Sequence, residues 1–337
     1  MGMDTSYEVG GPVLVAGGAG YIGSHTVRAL QDRGVDVVVL DNLSAGHREA
    51  VSCPLIEADL GDRDALRAAF RDHRPVAVIH FAAKCYVGES VTDPAIYYYE
   101  NVHHTWTLLE EMRAAGVRDI VFSSTCATYG EPTQVPIPDD HAQDPINPYG
   151  RTKLHMEHMM GDYDRAYGLR FAALRYFNAA GASRDGSIGE DHDPETHLIP
   201  LILQVAQGQR DKILMFGDDY PTPDGTCVRD YIHVEDLADA HMRALARLQQ
   251  DQPSFACNLG TGTGFSVREV VEAARSVTGH PIPAEVVGRR EGDPAILVSG
   301  GTRASELLGW VPRRAEIRTI VEDAWRFLEQ HPSGYSS

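Results

Sequence analysis

The chain has 337 residues, 43% of them hydrophobic, and 48 Asp and Glu against 30 Lys and Arg give a formal net charge of -18. That length exceeds a usual single core and predicts one large or two closely packed domains, while the acidic balance excludes a general nucleic-acid binder, whose phosphates need a broad excess of Lys and Arg. Five scattered cysteines with no C-x-x-C pair (Cys53, Cys85, Cys126, Cys227, Cys257) read as reduced thiols, and no stretch has signal-peptide or membrane-spanning character, which predicts a cytoplasmic protein without a membrane partner and with a ragged N-terminus through Pro12.

The run Val13 to Ala16 is short, apolar and stopped by glycines, as a buried parallel strand is. A helix follows over Ile22 to Arg33, then a second buried strand over Val35 to Leu40 that ends at Asp41. Next come a strand over Leu55 to Ala58, a helix over Arg63 to Asp72, a strand over Val76 to His80 and a long helix over Ala95 to Ala115. A strand over Asp119 to Ser123, a helix starting near Pro148 and a strand over Arg170 to Leu174 complete the alternation. Strands separated by helices predict right-handed crossovers and a doubly wound, Rossmann-like parallel sheet, with ligands at the carboxyl ends of its strands. Beyond Asn178 the pattern loosens, with helices over Leu198 to Gln207, Glu235 to Arg247, Val267 to Val277 and Ile317 to Glu329. The expected division is a dinucleotide-binding domain over 1–180 and a smaller mixed α/β substrate domain over 181–337.

Between the first strand and first helix stands Gly17-Gly-Ala-Gly20-Tyr-Ile-Gly23, with Asp41 closing the next strand. Glycines permit a tight turn and close approach to a pyrophosphate at a helix N-terminus, and the acid suits an adenosine ribose. Asp41 followed by Asn42 rather than Arg favours NAD over NADP; the alternative for Asp41 is an ordinary cap. In Asn147-Pro-Tyr149-Gly-Arg-Thr-Lys153, Asn147 caps and Pro148 opens a helix, so Tyr149 and Lys153 share one face near its positive end. The ammonium and the helix dipole are expected to favour phenolate, making Tyr149 a candidate acid/base. Phe122-Ser-Ser-Thr125-Cys-Ala-Thr-Tyr-Gly130 brings hydroxyls to the end of a buried strand. His103-His104 and His155-x-x-His158 lack a cysteine or acidic cluster at ligand spacing, so no metal is expected. Tyr97-Tyr-Tyr99 reads as packing and interface.

In this order, the glycine loop, hydroxyl cluster and Tyr149/Lys153 pair resemble the extended short-chain dehydrogenase/reductases. Gly20-Tyr-Ile-Gly-Ser-His25, Val87-Gly-Glu-Ser90, Leu174-Arg-Tyr-Phe-Asn178, Gly225 to Val234 and Arg289-Arg-Glu-Gly-Asp293 narrow the resemblance to the UDP-galactose 4-epimerase family, over nearly the whole chain from Val13. The resemblance implies a homodimer with tightly bound NAD that inverts C4 of a UDP-hexose through a 4-keto sugar, UDP-galactose to UDP-glucose being the leading case. It makes Tyr149 the base, Lys153 the residue that holds the ribose and lowers the phenol's pKa, and Thr125 the partner of the sugar's O4. It places Gly17, Gly20, Tyr21, Ile22, Gly23, Asp41, Asn42, Asp59, Leu60, Phe81, Ala82, Ala83, Asn101 and Phe177 around NAD. Around the UDP-sugar it places Asn178, His197, Leu198, Phe216, Arg229, Arg290, Asp293 and Leu297, with Arg229 and Arg290 clamping the diphosphate. Cys85 stands where some members carry a Lys, with Lys84 one place early, and His197 stands where some have Asn. Leu297, smaller than an aromatic, implies a pocket that prefers UDP-galactose and UDP-glucose and accepts an N-acetylated sugar slowly. A nucleotide-sugar 4,6-dehydratase would need carboxylates just after Thr125, where this chain has Cys126 and Ala127. A catalytically silent scaffold of the same fold would be expected to lose Tyr149 or Lys153.

Overall fold

Short β-branched and aliphatic runs form strands here because both faces of each are covered by helices, and such strands need no alternation. The computed structural model describes residues 7–290 and 293–335; Glu291 and Gly292 of the Arg289–Asp293 motif and Met1–Ser6 of the expected ragged terminus lie outside them. Tyr7 and Gly10 are tied down rather than loose: the Tyr7 hydroxyl donates to Asp239 at 2.6 Å and the Gly10 N–H to Gln249 at 2.9 Å.

The strands in chain order are β1 (Val13–Ala16), β2 (Val37–Asp41), β3 (Leu55–Glu57), β4 (Ala77–His80), β5 (Asp119–Thr125), β6 (Arg170–Tyr176), β7 (Asn178–Ala180), β8 (Ile213–Phe216), β9 (Val228–His233), β10 (Phe255–Leu259), β11 (Gly264–Ser266), β12 (Ala284–Val287) and β13 (Ile296–Leu297). Among the described residues a seven-stranded sheet has the order β3-β2-β1-β4-β5-β6-β10, and all its pairs are parallel. The order reverses between β1 and β4, the crevice where doubly wound sheets take their ligands. On one face lie α1 (Tyr21–Gln31), α8 (Val234–Gln249) and α10 (Arg303–Leu308), which pack Leu30, Leu237, Leu245 and Leu308 onto β1, β4 and β6. On the other lie α2 (Arg63–His73), α5 (His104–Ala115) and α6 (Pro148–Tyr167), which bury Phe70, Leu109, Met112, Met156 and Met160. The short helices α3 (Val87–Thr92) and α4 (Pro94–Tyr97) precede α5.

The helix expected over Ala95 to Ala115 is interrupted by a wide π-turn over Tyr98–His103. Within that turn Asn101 is fully buried and its amide bridges the Lys84 backbone and the Thr152 hydroxyl, so the widened turn braces the loop after β4 against α6. Strand β10 was not expected. After leaving the sheet at Tyr176, the end of β6, the chain returns through α8 and β10, so residues from 181–337 complete the sheet and one of its covering layers. The smaller body is built on a four-stranded sheet, β11-β9-β13 with β7 beside β9, and a β8–β12 pair. Helices α7 (Leu198–Ala206), α9 (Val267–Thr278) and α11 (Ile317–Gln330) pack its core around Ile202, Leu203, Val270, Val271, Ile320 and Val321.

Candidate active site

Gly17 ends β1 at φ +77°, and a Cβ there would lie 2.4 Å from the Ala82 nitrogen. The turn after β1 is thus pressed against the turn after β4, and only glycine fits. Gly23 is as tight, since its Cβ would meet the Gly17 carbonyl oxygen at 2.2 Å. Gly20 caps α1 without any side-chain hydrogen bond to the first amides, which leaves a bare positive helix end, with Tyr21 and Ile22 in its first turn, suited to a pyrophosphate. Asp41 is buried at the end of β2, where its two oxygens accept the Ala19 and Leu43 N–H groups at 2.9 Å each. Burial raises its pKa, and the loop N–H groups pull it back. A fixed carboxylate at that place suits a ribose diol and repels a 2'-phosphate, so the cradle fits NAD. Asn42 donates to Asp59 at 3.0 Å, Asp59 takes the Gly61 N–H at 2.7 Å, and Leu60 between them is buried. Phe81, Ala82 and Ala83, all half-buried, follow β4, with the Phe81 ring 4.7 Å from that of His241.

Across the crevice, Asn147 accepts the Gly150 N–H at 2.9 Å and Pro148 occupies the first turn of α6, as the sequence predicts. Tyr149, Lys153 and Glu157 recur every fourth residue and form one stripe toward the carboxyl ends of β5 and β6. Thr125 lies close enough to the Tyr149 hydroxyl to pull its pKa down. Lys153, only 2% exposed, donates to the Ser123 carbonyl at 2.8 Å, and its Nζ lies 6.0 Å from the Tyr149 ring centroid. Glu157 takes the Arg175 guanidinium through Nε at 3.0 Å and Nη2 at 2.6 Å and also accepts the Ser124 hydroxyl. Ser123 is bonded in turn to the Tyr176 hydroxyl.

The expectation that Lys153 and the helix end favour phenolate is not met in the chain alone. Burial holds the Tyr149 pKa well above its usual value, with Thr125 pulling weakly the other way. Lys153 is itself brought down to about 8 by burial, opposed by Cys85 and Glu157. In the chain alone Tyr149 therefore rests as a phenol beside an ammonium that is protonated at neutral pH. Cys85 is exposed yet close enough to act on Tyr149, Lys153 and Tyr176.

On the side of the smaller body, Phe177 is packed with Cys126, Tyr129, Ile137 and Leu297, just past the Thr125 end of β5. Asn178 donates to the Asp230 carbonyl at 3.1 Å. Arg229 pairs with Asp293, donates to the Val228 carbonyl at 2.8 Å and stands opposite Leu297 in the β9–β13 register. The Arg290 guanidinium lies 4.5 Å over the ring of Phe216. His197 precedes Leu198 at the start of α7, with Nδ1 turned inward to Glu190 and Glu195 at 2.8 and 3.1 Å.

The model of the NAD dependent epimerase/dehydratase family matches residues 13–260. The chain belongs to that family. The UDP-glucose 4-epimerase of Halalkalibacterium halodurans is 54% identical over 326 residues, 96% of this chain and 98% of that one. The crystal structure of UDP-glucose 4-epimerase from Brucella ovis in complex with NAD is 51% identical with a TM-score of 0.92, covering 94% of this chain and 98% of that one. That of UDP-glucose-4-epimerase from Stenotrophomonas maltophila, with bound NAD and formylated UDP-arabinopyranose, is 40% identical with a TM-score of 0.93, covering 96% of this chain and 99% of that one.

For a member of this family, some site residues escaped the sequence reading. Glu157 was accessible to it, since it lies four residues beyond Lys153 on the same face, whereas Ser123, Tyr176 and Cys85 reach the centre only through strand register and a loop. The acidic company of His104 was overlooked as well. Glu100 stands one helical turn before it, and the fold adds Asp59, with both carboxylates within 3.2 Å of Nδ1. His155 and His158 are exposed on α6.

The buried Lys153 sets a pH signature. Folded, it releases its proton near pH 8, and unfolded near 10.5, so between those values the unfolded chain binds more protons and this group makes stability rise with pH. The unfolding free energy of the wild type minus that of Lys153→Met should therefore increase from pH 8 to 10.5 in urea titrations. A constant difference would mean that Lys153 is not held in a desolvated site.

Proposed function

We propose that this protein is an NAD-dependent UDP-hexose 4-epimerase that interconverts UDP-galactose and UDP-glucose through a 4-keto sugar. The observation that carries the reading is the placement of Tyr149 beside Thr125 and the Lys153 ammonium, set across the crevice from the bare glycine-rich helix end. The cofactor is assigned to 1–180 and the UDP-sugar to 181–337, facing each other across that crevice. Bound NAD supplies a reversible hydride acceptor for C4 and a positive charge at its nicotinamide ring.

Gly17, Gly20, Gly23, Tyr21 and Ile22 present the helix end to the pyrophosphate, and Asp41 orients a ribose. Asn42, Asp59, Leu60, Phe81, Ala82, Ala83 and Phe177 shape the remaining walls. Asn101, whose amide is spent on Lys84 and Thr152, supports the cofactor side by holding that loop rather than by a free polar group. Tyr149 removes the O4 proton as the C4 carbinol becomes a ketone and returns a proton to O4 when the opposite face of the ketone is reduced, so nothing is consumed. Because it rests as a phenol, the base form requires cations, and Lys153 is the chain's own. Thr125 holds O4. Arg229, oriented by Asp293 and the Val228 carbonyl, and Arg290 take the diphosphate; Asn178, His197, Leu198 and Phe216 complete the UDP-sugar's surroundings. Dehydration is disfavoured at the residue after Thr125, since burial pushes the Cys126 thiol up to about 12 and leaves no acid there to eliminate water.

Among the described residues no helix is long and apolar enough to cross a membrane, and all five cysteines are free thiols, which supports a reducing cytoplasmic location. Val91, Tyr98, Tyr99 and Trp106, on α3 to α5, are large exposed hydrophobics, and we assign them to a homodimer interface.

Tyr149→Phe should keep NAD binding but lower turnover of UDP-galactose by about 10²–10⁴-fold, read by chromatographic separation of UDP-glucose; near-normal turnover removes Tyr149 from the chemistry. Leu297→Tyr should suppress turnover of UDP-N-acetylglucosamine by about tenfold to a hundredfold while sparing UDP-galactose, because overpacking a pocket wall costs ~1–3 kcal/mol. Equal loss on both sugars shows that Leu297 does not line the pocket. Tyr99→Glu should halve the mass seen by light scattering, and an unchanged dimer mass places the interface elsewhere.

A further inference from the structure

Between β7 and α7, residues 181–197 run without helix or strand, a length at which a loop in a compact body needs some other means of holding its shape. Near its end four side chains converge. Glu190, His192, Glu195 and His197 each offer one ligand atom, and these atoms all lie within 4.8 Å of one another. His192 Nδ1 is 3.3 Å from Glu190 and 3.7 Å from Glu195, and His197 Nδ1 is 2.8 and 3.1 Å from the same two carboxylates. Zinc bonds to nitrogen and oxygen of ~2.0–2.1 Å put the corners of a tetrahedron about 3.3 Å apart; the His192–Glu190 separation of 3.3 Å matches that edge and those of His197, 2.8 and 3.1 Å, approach it, while His192 faces the other oxygen of Glu195.

Two further features bear on the site. The Glu190 and Glu195 side chains are only 7% and 4% exposed, so their two charges require compensation in place, which one divalent cation or two imidazolium ions supply. His192 Nδ1 is buried with no hydrogen-bond partner although both carboxylates face it, which is the disposition of a ligand atom rather than of a donor. Support around the cluster is also built: Glu195 Oε1 accepts the N–H groups of Thr196 and His197 at 2.7 Å each, and the rings of Tyr21 and Tyr86 stand edge-on to His192 at 6.3 and 6.4 Å.

We infer that Glu190, His192, Glu195 and His197 form a binding site for one divalent transition-metal ion of the zinc class. Two imidazoles with two carboxylates suit zinc better than magnesium or calcium, which prefer oxygen alone. With four protein ligands the site is closed and therefore structural. It staples the loop immediately before α7 and fixes His197, through Nδ1, with Leu198 next to it. The ion site stands on these four residues alone and does not depend on the epimerase reading.

The test is metal content of the purified, cofactor-bearing protein after chelator treatment, reloading with Zn2+ and gel filtration, with Co2+ as a visible probe of four-coordinate geometry. One ion per chain is expected, with the intense visible bands of tetrahedral Co2+, both abolished in His192→Ala and in His197→Gln. His104→Gln, at the separate Asp59/Glu100/His104 group, should retain both. At about a hundredfold excess of Zn2+ over its dissociation constant the wild type should melt a few degrees higher, while His197→Gln, at a ring 46% exposed, should melt at the same temperature with and without the ion. Wild-type protein without stoichiometric metal overturns the inference, as does equal retention in His192→Ala and His197→Gln. A zinc-dependent rise in melting temperature preserved in His197→Gln also overturns it, because the ion would then be held by other groups.

Discussion

The buried Arg175–Glu157 pair is the interaction on which the geometry of the candidate site depends. Both side chains are out of water, and two guanidinium nitrogens reach the carboxylate. A pair in this position is weak grounds for added stability, but losing one partner strands the other and typically costs about 3–5 kcal/mol. What it fixes is register. Glu157 is on α6, Arg175 on β6, and the Ser124 hydroxyl brings β5 into the same junction. The stripe of α6 that carries Tyr149 and Lys153 is thereby clamped against the strand ends that supply Thr125 and the Ser123 carbonyl. An acid/base group needs this kind of rigid support, since small displacements of a reacting atom lower rates steeply.

Opposite that clamp, the constraint is one of closeness rather than charge. The turn at Gly17 touches the backbone at Ala82, and Gly23 touches Gly17, so the two loops at the reversal of strand order form one surface. Fixed carboxylate, bare helix end and buried ammonium then face one crevice, with each charge supported by a neighbouring backbone or side-chain group. The overall charge of -18 conceals this arrangement, because a diphosphate answers to the few cations near it.

Local rules made much of this legible. Val13–Ala16, the glycines after it, Asp41, and the Asn147-Pro148 start of α6 depend on neighbours within a few residues, and their reading agrees with the structure. Strand β10, Phe-Ala-Cys-Asn-Leu, carries a short and mixed pattern and finds its partner β6 some eighty residues back, so nothing nearby announces it. The π-turn at Tyr98–His103 answers to Asn101 reaching Lys84 and Thr152, which is a tertiary demand. The pKa of Tyr149 moves against the expected direction for a similar reason: spacing brings Lys153 near, but burial, which spacing does not encode, sets the sign. The cluster Glu190-x-His192-x-x-Glu195-x-His197 is compact enough to be seen in the sequence, yet only the folded loop turns its ligand atoms toward one point.

The return of the chain through β10 bears on how the protein is built as a covalent object. Strand β6 lies between β5 and β10, and both of its edges are satisfied by parallel partners, one from before residue 180 and one from well after it. A polypeptide ending at residue 180 would hold the glycine loop, Asp41, Tyr149 and Lys153, but its β6 would present a row of unpaired N–H and C=O groups along Ala172 to Tyr176. Bare edges of that kind recruit strands from other molecules. The cofactor-binding half is therefore not a detachable module, and a truncated or interrupted chain is exposed to edge-to-edge association until Phe255–Leu259 arrives to close the sheet.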